Sequence, residues 1–156
     1  MTERIEFAVP IPALLRAARG AYGGAVRRRL AEGGFDDLPG NGPYVLGGIA
    51  NHGGSAGDLA RQLGVSKQAA SQLIDTLVLR GYLTREIDGA DRRRMLIELT
   101  ERGRAAAAAV AAGVEEIDTA LCAMLSEKEL AGLYTGLVAL TEIRERAEDA
   151  LRSGDD

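Results

Sequence analysis

The chain has 156 residues, a formal net charge of −4, one cysteine and one histidine. This length suits a single domain, and 46% hydrophobic with 27% charged residues is typical of a globular protein. Cys122 and His52 are too few for an internal disulfide or a zinc site, so we expect neither a metal nor a cofactor. The apolar runs are too short to cross a membrane, and the first 20 residues contain no secretory signal. We therefore predict a cytoplasmic protein without membrane contact.

The net charge hides an uneven distribution of charges along the chain. Residues 61–104 contain 9 basic and 6 acidic side chains, whereas residues 105–156 contain 4 and 11. Because distant charges are screened beyond about 8 Å at physiological salt, a local basic region is enough for an anionic partner. The middle of the chain is therefore the candidate region for such a partner.

Apolar residues spaced three and four apart predict a first helix over residues 11–30, ended by Gly33 and Gly34. Pro43 suits the first turn of a second, short helix that ends before Gly53 and Gly54. Residues 55–58 resemble a capping box and predict a third helix beginning at Ser55. That helix ends at Gly64, and Ser66 is placed to cap a fourth helix that runs to Gly81.

Beyond Gly81 the hydrophobic period changes from 3.6 to 2, which predicts two strands of a hairpin. Residues 88–91 are turn formers and mark its tip. Thr100 can then cap a long helix, in which apolar residues from Val110 to Met124 recur at steps of 4 and 3. Residues 126–129 form a second capping box that opens a last helix.

The order helix, turn, helix and hairpin predicts a winged helix-turn-helix within residues 43–100. Residues 59–74 supply its internal pattern: Ala60 is small enough for a crossing helix, and Gly64 permits the tight turn. The fold class is therefore mainly α with a small β-hairpin wing.

The second helix of this unit presents polar side chains away from its apolar side. Glutamine can bond adenine through two atoms, lysine can contact guanine or phosphate, and serine can reach a base edge or a backbone oxygen. The alternative is a solvated polar face of the kind that any small helical protein has. The candidate DNA contacts are Ser66, Lys67, Gln68, Ser71 and Gln72.

The predicted hairpin tip favours DNA contact over a solvated charge run. Residues 91–94 place three guanidinium groups where they can enter a minor groove or hold phosphates, and Arg85 lies on the partner strand. We therefore add Arg85, Asp91, Arg92, Arg93 and Arg94 to the candidate DNA-binding residues.

Over nearly its whole length the sequence resembles the MarR family of transcriptional regulators. The matching residues include Leu63-Gly64-Val65-Ser66, Gly81-Tyr82-Leu83 and Leu99-Thr100-Glu101-Arg102-Gly103. The wing signature of the family, Asp-x-Arg followed by Leu-Thr, is met by Asp91, Arg93, Leu99 and Thr100. The resemblance implies a sequence-specific, double-stranded DNA-binding regulator, most simply a repressor released by a small-molecule effector of unknown identity.

The resemblance also implies a homodimer that binds a palindromic operator. Residues 11–34 and 101–150 would form its helical dimerisation region, within a single domain spanning residues 1–156. The long apolar stripes on these segments support this independently, since they exceed what the small winged unit can cover. Two-fold symmetry would then place two recognition helices about 34 Å apart.

The assignment among the wing arginines stays open. The resemblance points to Arg93 for the minor groove, with Asp91 holding the tip, whereas strand alternation turns Arg92 and Arg94 outward. Arg27, Arg28 and Arg29 have two interpretations as well, either phosphate contact or interaction with the C-terminus of the first helix.

Other residues are expected to be structural. Cys122 is predicted to pack in the interior, the alternative being a redox switch. His52 is predicted to be a surface residue at a helix end, the alternative being a donor in a ligand pocket. Tyr22, Tyr44 and Tyr134 are predicted to pack in the core, although they could instead line a pocket.

An enzyme and a protein-binding module are the two other classes of function. No common catalytic constellation has a candidate here, so we expect the protein not to be an enzyme. A winged-helix module that binds another protein without specific DNA binding is the main alternative. Salt-dependent DNA affinity separates it from a DNA-binding regulator.

Overall fold

The computed structural model describes residues 8–52, 64–87 and 95–153, and the expected mainly α fold with a two-stranded hairpin is confirmed there. The helix predicted to begin at Ser55 lies outside these residues. The elements are α1 (Ile11–Glu32), α2 (Gly42–His52), α3 (Lys67–Leu79), β1 (Leu83–Ile87), β2 (Met95–Leu99), α4 (Glu101–Met124) and α5 (Glu127–Ser153).

The chain divides into two compact units, Met1–Ile117 and Asp118–Asp156. The first unit contains α1, α2, α3, the hairpin and the larger part of α4. The second contains the end of α4 and all of α5. In the part of the chain that the structure describes, no helix is long and apolar enough to cross a membrane.

The predicted helix boundaries are set by local hydrogen bonds. The side chain of Ser66 accepts from Ala69 N at 3.1 Å, and that of Thr100 accepts from Gly103 N at 2.9 Å. In the capping box before α5, Glu129 Oε2 accepts from Ser126 N at 2.8 Å. Each bond satisfies a backbone N–H that has no partner within its own helix, which is why these short-range signals located the helix starts.

The core of the first unit collects apolar side chains from all of its elements. Its largest fully buried side chain is Tyr82, at the start of the hairpin. Burying each leucine or isoleucine contributes about 1.5 to 3 kcal/mol. The cluster comprises Val26, Leu30, Val45, Leu46, Ile49, Ile74, Leu77, Tyr82, Leu83, Ile97, Ala106, Ala107 and Val110.

Two glycines let α4 approach its neighbours closely. A Cβ on Gly113 would lie 2.7 Å from Val26 Cα and 2.8 Å from Val26 N, so the backbones of α4 and α1 are almost in contact. A Cβ on Gly103 would lie only 2.0 Å from the carbonyl oxygen of Tyr82. The first unit is therefore packed around α4 at positions that exclude any side chain.

The hairpin is antiparallel, with Leu83 paired to Leu99 and Arg85 paired to Ile97. Leu83 and Ile97 are buried, whereas Leu96 is 38% exposed. The predicted alternation of strand faces is therefore confirmed for these positions.

Three expectations of burial were wrong. Tyr44 is 56% exposed because its neighbours Val45 and Leu46 occupy the core side of α2. Tyr134 is 72% exposed, on a helix whose described side chains include none that is fully buried. Cys122 is also exposed, because the buried positions of α4 end at Gly113. Tyr22 is half-buried, as a core-edge residue would be.

Candidate nucleic-acid interface

Helix α3 has a buried side and a polar side. Ala70, Ile74 and Leu77 are buried, at steps of four and three residues, and they pack the helix against the core. Lys67, Gln68 and Gln72 are exposed on the rest of the helix, and Ser71 is half-buried. The candidate DNA contacts of α3 are thus presented together by a helix whose opposite side is held in place.

The N-terminus of α3 is capped by Ser66, another candidate contact. Its hydroxyl oxygen accepts from Ala69 N, and the serine side chain is therefore held against the first turn. Exposed N–H groups and the helix dipole make such a terminus attractive to a phosphate. The cap and a phosphate contact are compatible, because the hydroxyl hydrogen is not used by the cap.

Arg85 is not directed at solvent alone. Its Nη1 lies 2.5 Å from Oδ1 of Asp75, which is on α3. The side chain of Arg85 is 31% exposed and that of Asp75 is 60% exposed. Asp75 was not among the predicted contacts, although its spacing from Ser71 already placed it on the polar side of the helix.

The remaining candidates, Asp91, Arg92, Arg93 and Arg94, lie outside the described residues. Their roles at the wing tip stay predictions, and so does the choice among the three arginines. The same holds for the side chain of His52, whose backbone ends α2.

The root of the hairpin is held by a polar cluster that no sequence pattern predicted. The Tyr82 hydroxyl donates to Asp37 Oδ1, and Arg102 Nη2 donates to the same oxygen at 2.9 Å. The Arg102 guanidinium also lies 4.5 Å from the centre of the Tyr82 ring, and its Nη1 donates to Arg80 O at 3.2 Å. This cluster joins the loop after α1, the start of β1 and the start of α4.

The electrostatics of the cluster follow from these contacts. The hydrogen bond from Tyr82, together with the positive charge of Arg102, lowers the pKa of Asp37. Burial, and then the bond to Asp37, raise the pKa of Tyr82. The charged carboxylate and the neutral phenol are therefore the stable pair at neutral pH.

Two arginines near the end of α1 bind a carboxylate of α4. Arg29 Nη2 lies 2.9 Å from Glu116 Oε2, and Arg28 bonds the other oxygen of the same carboxylate. Arg29 also pairs with Glu32 at 3.4 Å. Arg28 and Arg29 thus join α1 to α4, close to the contact at Gly113. This role differs from both predicted ones, phosphate contact and interaction with the C-terminus of the first helix.

The comparisons with known proteins agree with this arrangement. The sequence pattern that defines the MarR family matches residues 36–94, which include α2, α3 and β1. This segment of the chain is similar to the MarR family. The matched segment therefore carries the polar side of α3, and its similarity to this family supports a DNA-binding transcriptional regulator.

Solved structures with the same fold extend over most of this chain. The transcriptional regulator Tm0710 from Thermotoga maritima is 25% identical, with 88% of this chain and 95% of that one covered and a TM-score of 0.55. S. aureus MepR in complex with DNA is 22% identical, with 85% and 95% covered and a TM-score of 0.71. S. aureus MepR bound to ethidium bromide is 23% identical, with 86% and 96% covered and a TM-score of 0.56. No curated protein matches the sequence.

Proposed function

We propose that this chain is a dimeric repressor of the MarR type, which binds a palindromic operator and is released by a small-molecule effector. The observation that carries the proposal is the two-sided α3, whose buried side fixes the helix while Lys67, Gln68 and Gln72 remain exposed. A helix held in this way can enter a major groove, where these side chains match the donors and acceptors of base edges.

Two further observations support the finer parts of the proposal. The described α5 exposes apolar side chains, among them Leu133, Leu137 and Ile143, which a second copy of the chain would cover. MepR, which shares the fold, has been solved both with DNA and with the dye ethidium. A regulator of this fold is thus able to bind both kinds of ligand.

The operator can be found by binding the purified protein to sheared DNA from its own genome at about 150 mM salt. Bound fragments are recovered and sequenced. We expect a shared inverted repeat with half-sites about 10 base pairs apart, since a two-fold dimer reads successive turns of the duplex. No enrichment over the input DNA would favour the protein-binding module instead.

A variant with Arg92, Arg93 and Arg94 changed to alanine is the control for the wing. We expect it to keep the fold and to lose most of the enrichment, because three positive charges near the duplex are removed. Enrichment equal to that of the natural protein would contradict a wing contact. The effector step is tested by adding ethidium as a probe to the complex and following release of the operator by fluorescence anisotropy.

A further inference from the structure

Asp75 places a negative charge on the side of α3 that carries the proposed DNA contacts. Lys67, Ser71 and Asp75 follow one another at steps of four residues, so they lie along one stripe of the helix. The carboxylate is 60% exposed and is four residues from the C-terminal end of α3. A bare carboxylate at this place would repel the phosphates of a duplex that the helix enters.

Arg85 reaches Asp75 from a different element. Its position on β1 is paired with the buried Ile97 of β2, so its stem leaves the sheet on the side that faces the core. From there the guanidinium meets Asp75 at 2.5 Å, and only 31% of its side chain is exposed. The geometry thus pairs the charge of Arg85 with the carboxylate of Asp75.

We propose that Arg85 supports DNA binding as a positioning residue: it neutralises Asp75 on the recognition side of α3 and makes no phosphate contact of its own. This inference rests on the proposed function. It replaces the simpler expectation that Arg85 contacts DNA directly.

The two roles make opposite predictions for a double substitution. If Arg85 masks Asp75, Arg85→Gln exposes the carboxylate and weakens DNA binding, and adding Asp75→Asn removes the charge that needed masking. If Arg85 instead contacts a phosphate, the double variant has still lost that contact. The net charge of the pair is the same in the natural protein and in the double variant, so the masking role also leaves the salt dependence unchanged.

The experiment compares the natural protein with R85Q, D75N and R85Q/D75N on one recovered genomic fragment, between 50 and 300 mM salt. We expect R85Q to bind about tenfold more weakly and the double variant to bind within about threefold of the natural protein. D75N alone should bind at least as tightly as the natural protein, because it removes a negative charge and releases Arg85. Thermal unfolding checks that each variant is folded. If R85Q does not fold, the affinity of D75N still tests the inference.

Two results would overturn the inference. One is a double variant as weak as R85Q, with the slope of log affinity against log salt reduced in magnitude by about 1, which is the sign of a lost phosphate contact. The other is weaker binding by D75N. Natural protein that shows no salt-dependent DNA binding at all would instead refute the proposed function, and this inference with it.

Discussion

Gln68 is the side chain of α3 best suited to read a base, since it is exposed and lies in the first turn of a helix whose opposite side is buried. A glutamine that bonds adenine through two atoms contributes about 1 to 3 kcal/mol of discrimination between sequences. The neighbouring Lys67 would attract the phosphates of a duplex of any sequence. The two residues therefore allow sequence reading and general attraction to be separated.

We predict that Gln68→Ala costs about 1 to 3 kcal/mol on the operator and much less on random duplex DNA. Lys67→Ala is the matched control, and it should weaken binding to both sequences by similar factors. Both affinities are measured by fluorescence anisotropy at fixed salt. An equal loss on both sequences for Gln68→Ala would identify this glutamine as a backbone contact.

The pair formed by Asp37 and Tyr82 predicts how the stability of the first unit depends on pH. Because the pKa of Asp37 is lowered by folding, its contribution is present above about pH 4, the ordinary aspartate value, and is lost as the pH falls through the lower folded value. The pKa of Tyr82 is raised, so its contribution is present below about pH 10 and is lost as the pH rises through the higher folded value.

We therefore expect Asp37→Asn to lower the melting temperature by a few degrees at pH 7, and we expect this difference to shrink as the pH falls below about 4. Thermal unfolding of both proteins across this range measures the difference. Asp36→Asn, which removes the neighbouring carboxylate, is the matched control. A difference that does not shrink as the pH falls until the natural protein unfolds would show that the charge of Asp37 does not matter.

Sequence patterns predicted the helix caps at Ser66, Thr100 and Ser126 because donor and acceptor lie within three residues of each other. They did not predict that Tyr82 would bond Asp37, since these residues are 45 positions apart and only the folded chain brings them together. Arg85 was identified as a candidate from its strand, but its partner Asp75 depends on how that strand packs against α3. Long-range partners of this kind have no local signal.

At the scale of elements, the contact between α1 and α4 depends on Gly113. Its missing Cβ lets the two backbones approach, and the ion pairs of Glu116 with Arg28 and Arg29 lie one turn further along α4. Glycine is otherwise unfavourable within a helix, by roughly 0.5 to 1 kcal/mol relative to alanine. The close packing that Gly113 permits offsets this cost in stability.

We predict that Gly113→Ala lowers the free energy of unfolding by about 1 to 3 kcal/mol, because the added methyl group must push α4 away from Val26. Gly47→Ala is the matched control: a Cβ at this helical glycine meets nothing within 4 Å, so it should raise stability by about 0.5 to 1 kcal/mol. Urea unfolding measures both. Stabilisation by both substitutions would contradict the close approach.

At the scale of the whole molecule, much apolar surface remains uncovered in a single chain. Ile11, Leu14 and Leu15 on α1 are between 38% and 51% exposed, although their spacing predicted one continuous apolar face. Burial in the single chain is confined to the later part of that helix, at Ala25, Val26 and Leu30. The pattern in the sequence thus identified the apolar face correctly, but it could not say which part is covered by the same chain.

We predict that Leu137→Glu converts the proposed dimer into a monomer of 16.4 kDa and lowers operator affinity more than tenfold, because two linked recognition helices bind together. Ala139→Glu is the control, since it places the same charge on the opposite side of α5. Light scattering gives the mass of each variant. A natural protein that is already monomeric at micromolar concentration would contradict the proposed dimer.

The exposed thiol of Cys122 has a practical consequence. Because the chain contains no other cysteine, a maleimide spin label or dye attaches at one defined position without any prior mutagenesis. A pair of identical chains would then carry one label each on α4. The distance between the labels, followed by pulsed spin resonance while operator or ethidium is added, would report directly on rearrangement between the copies.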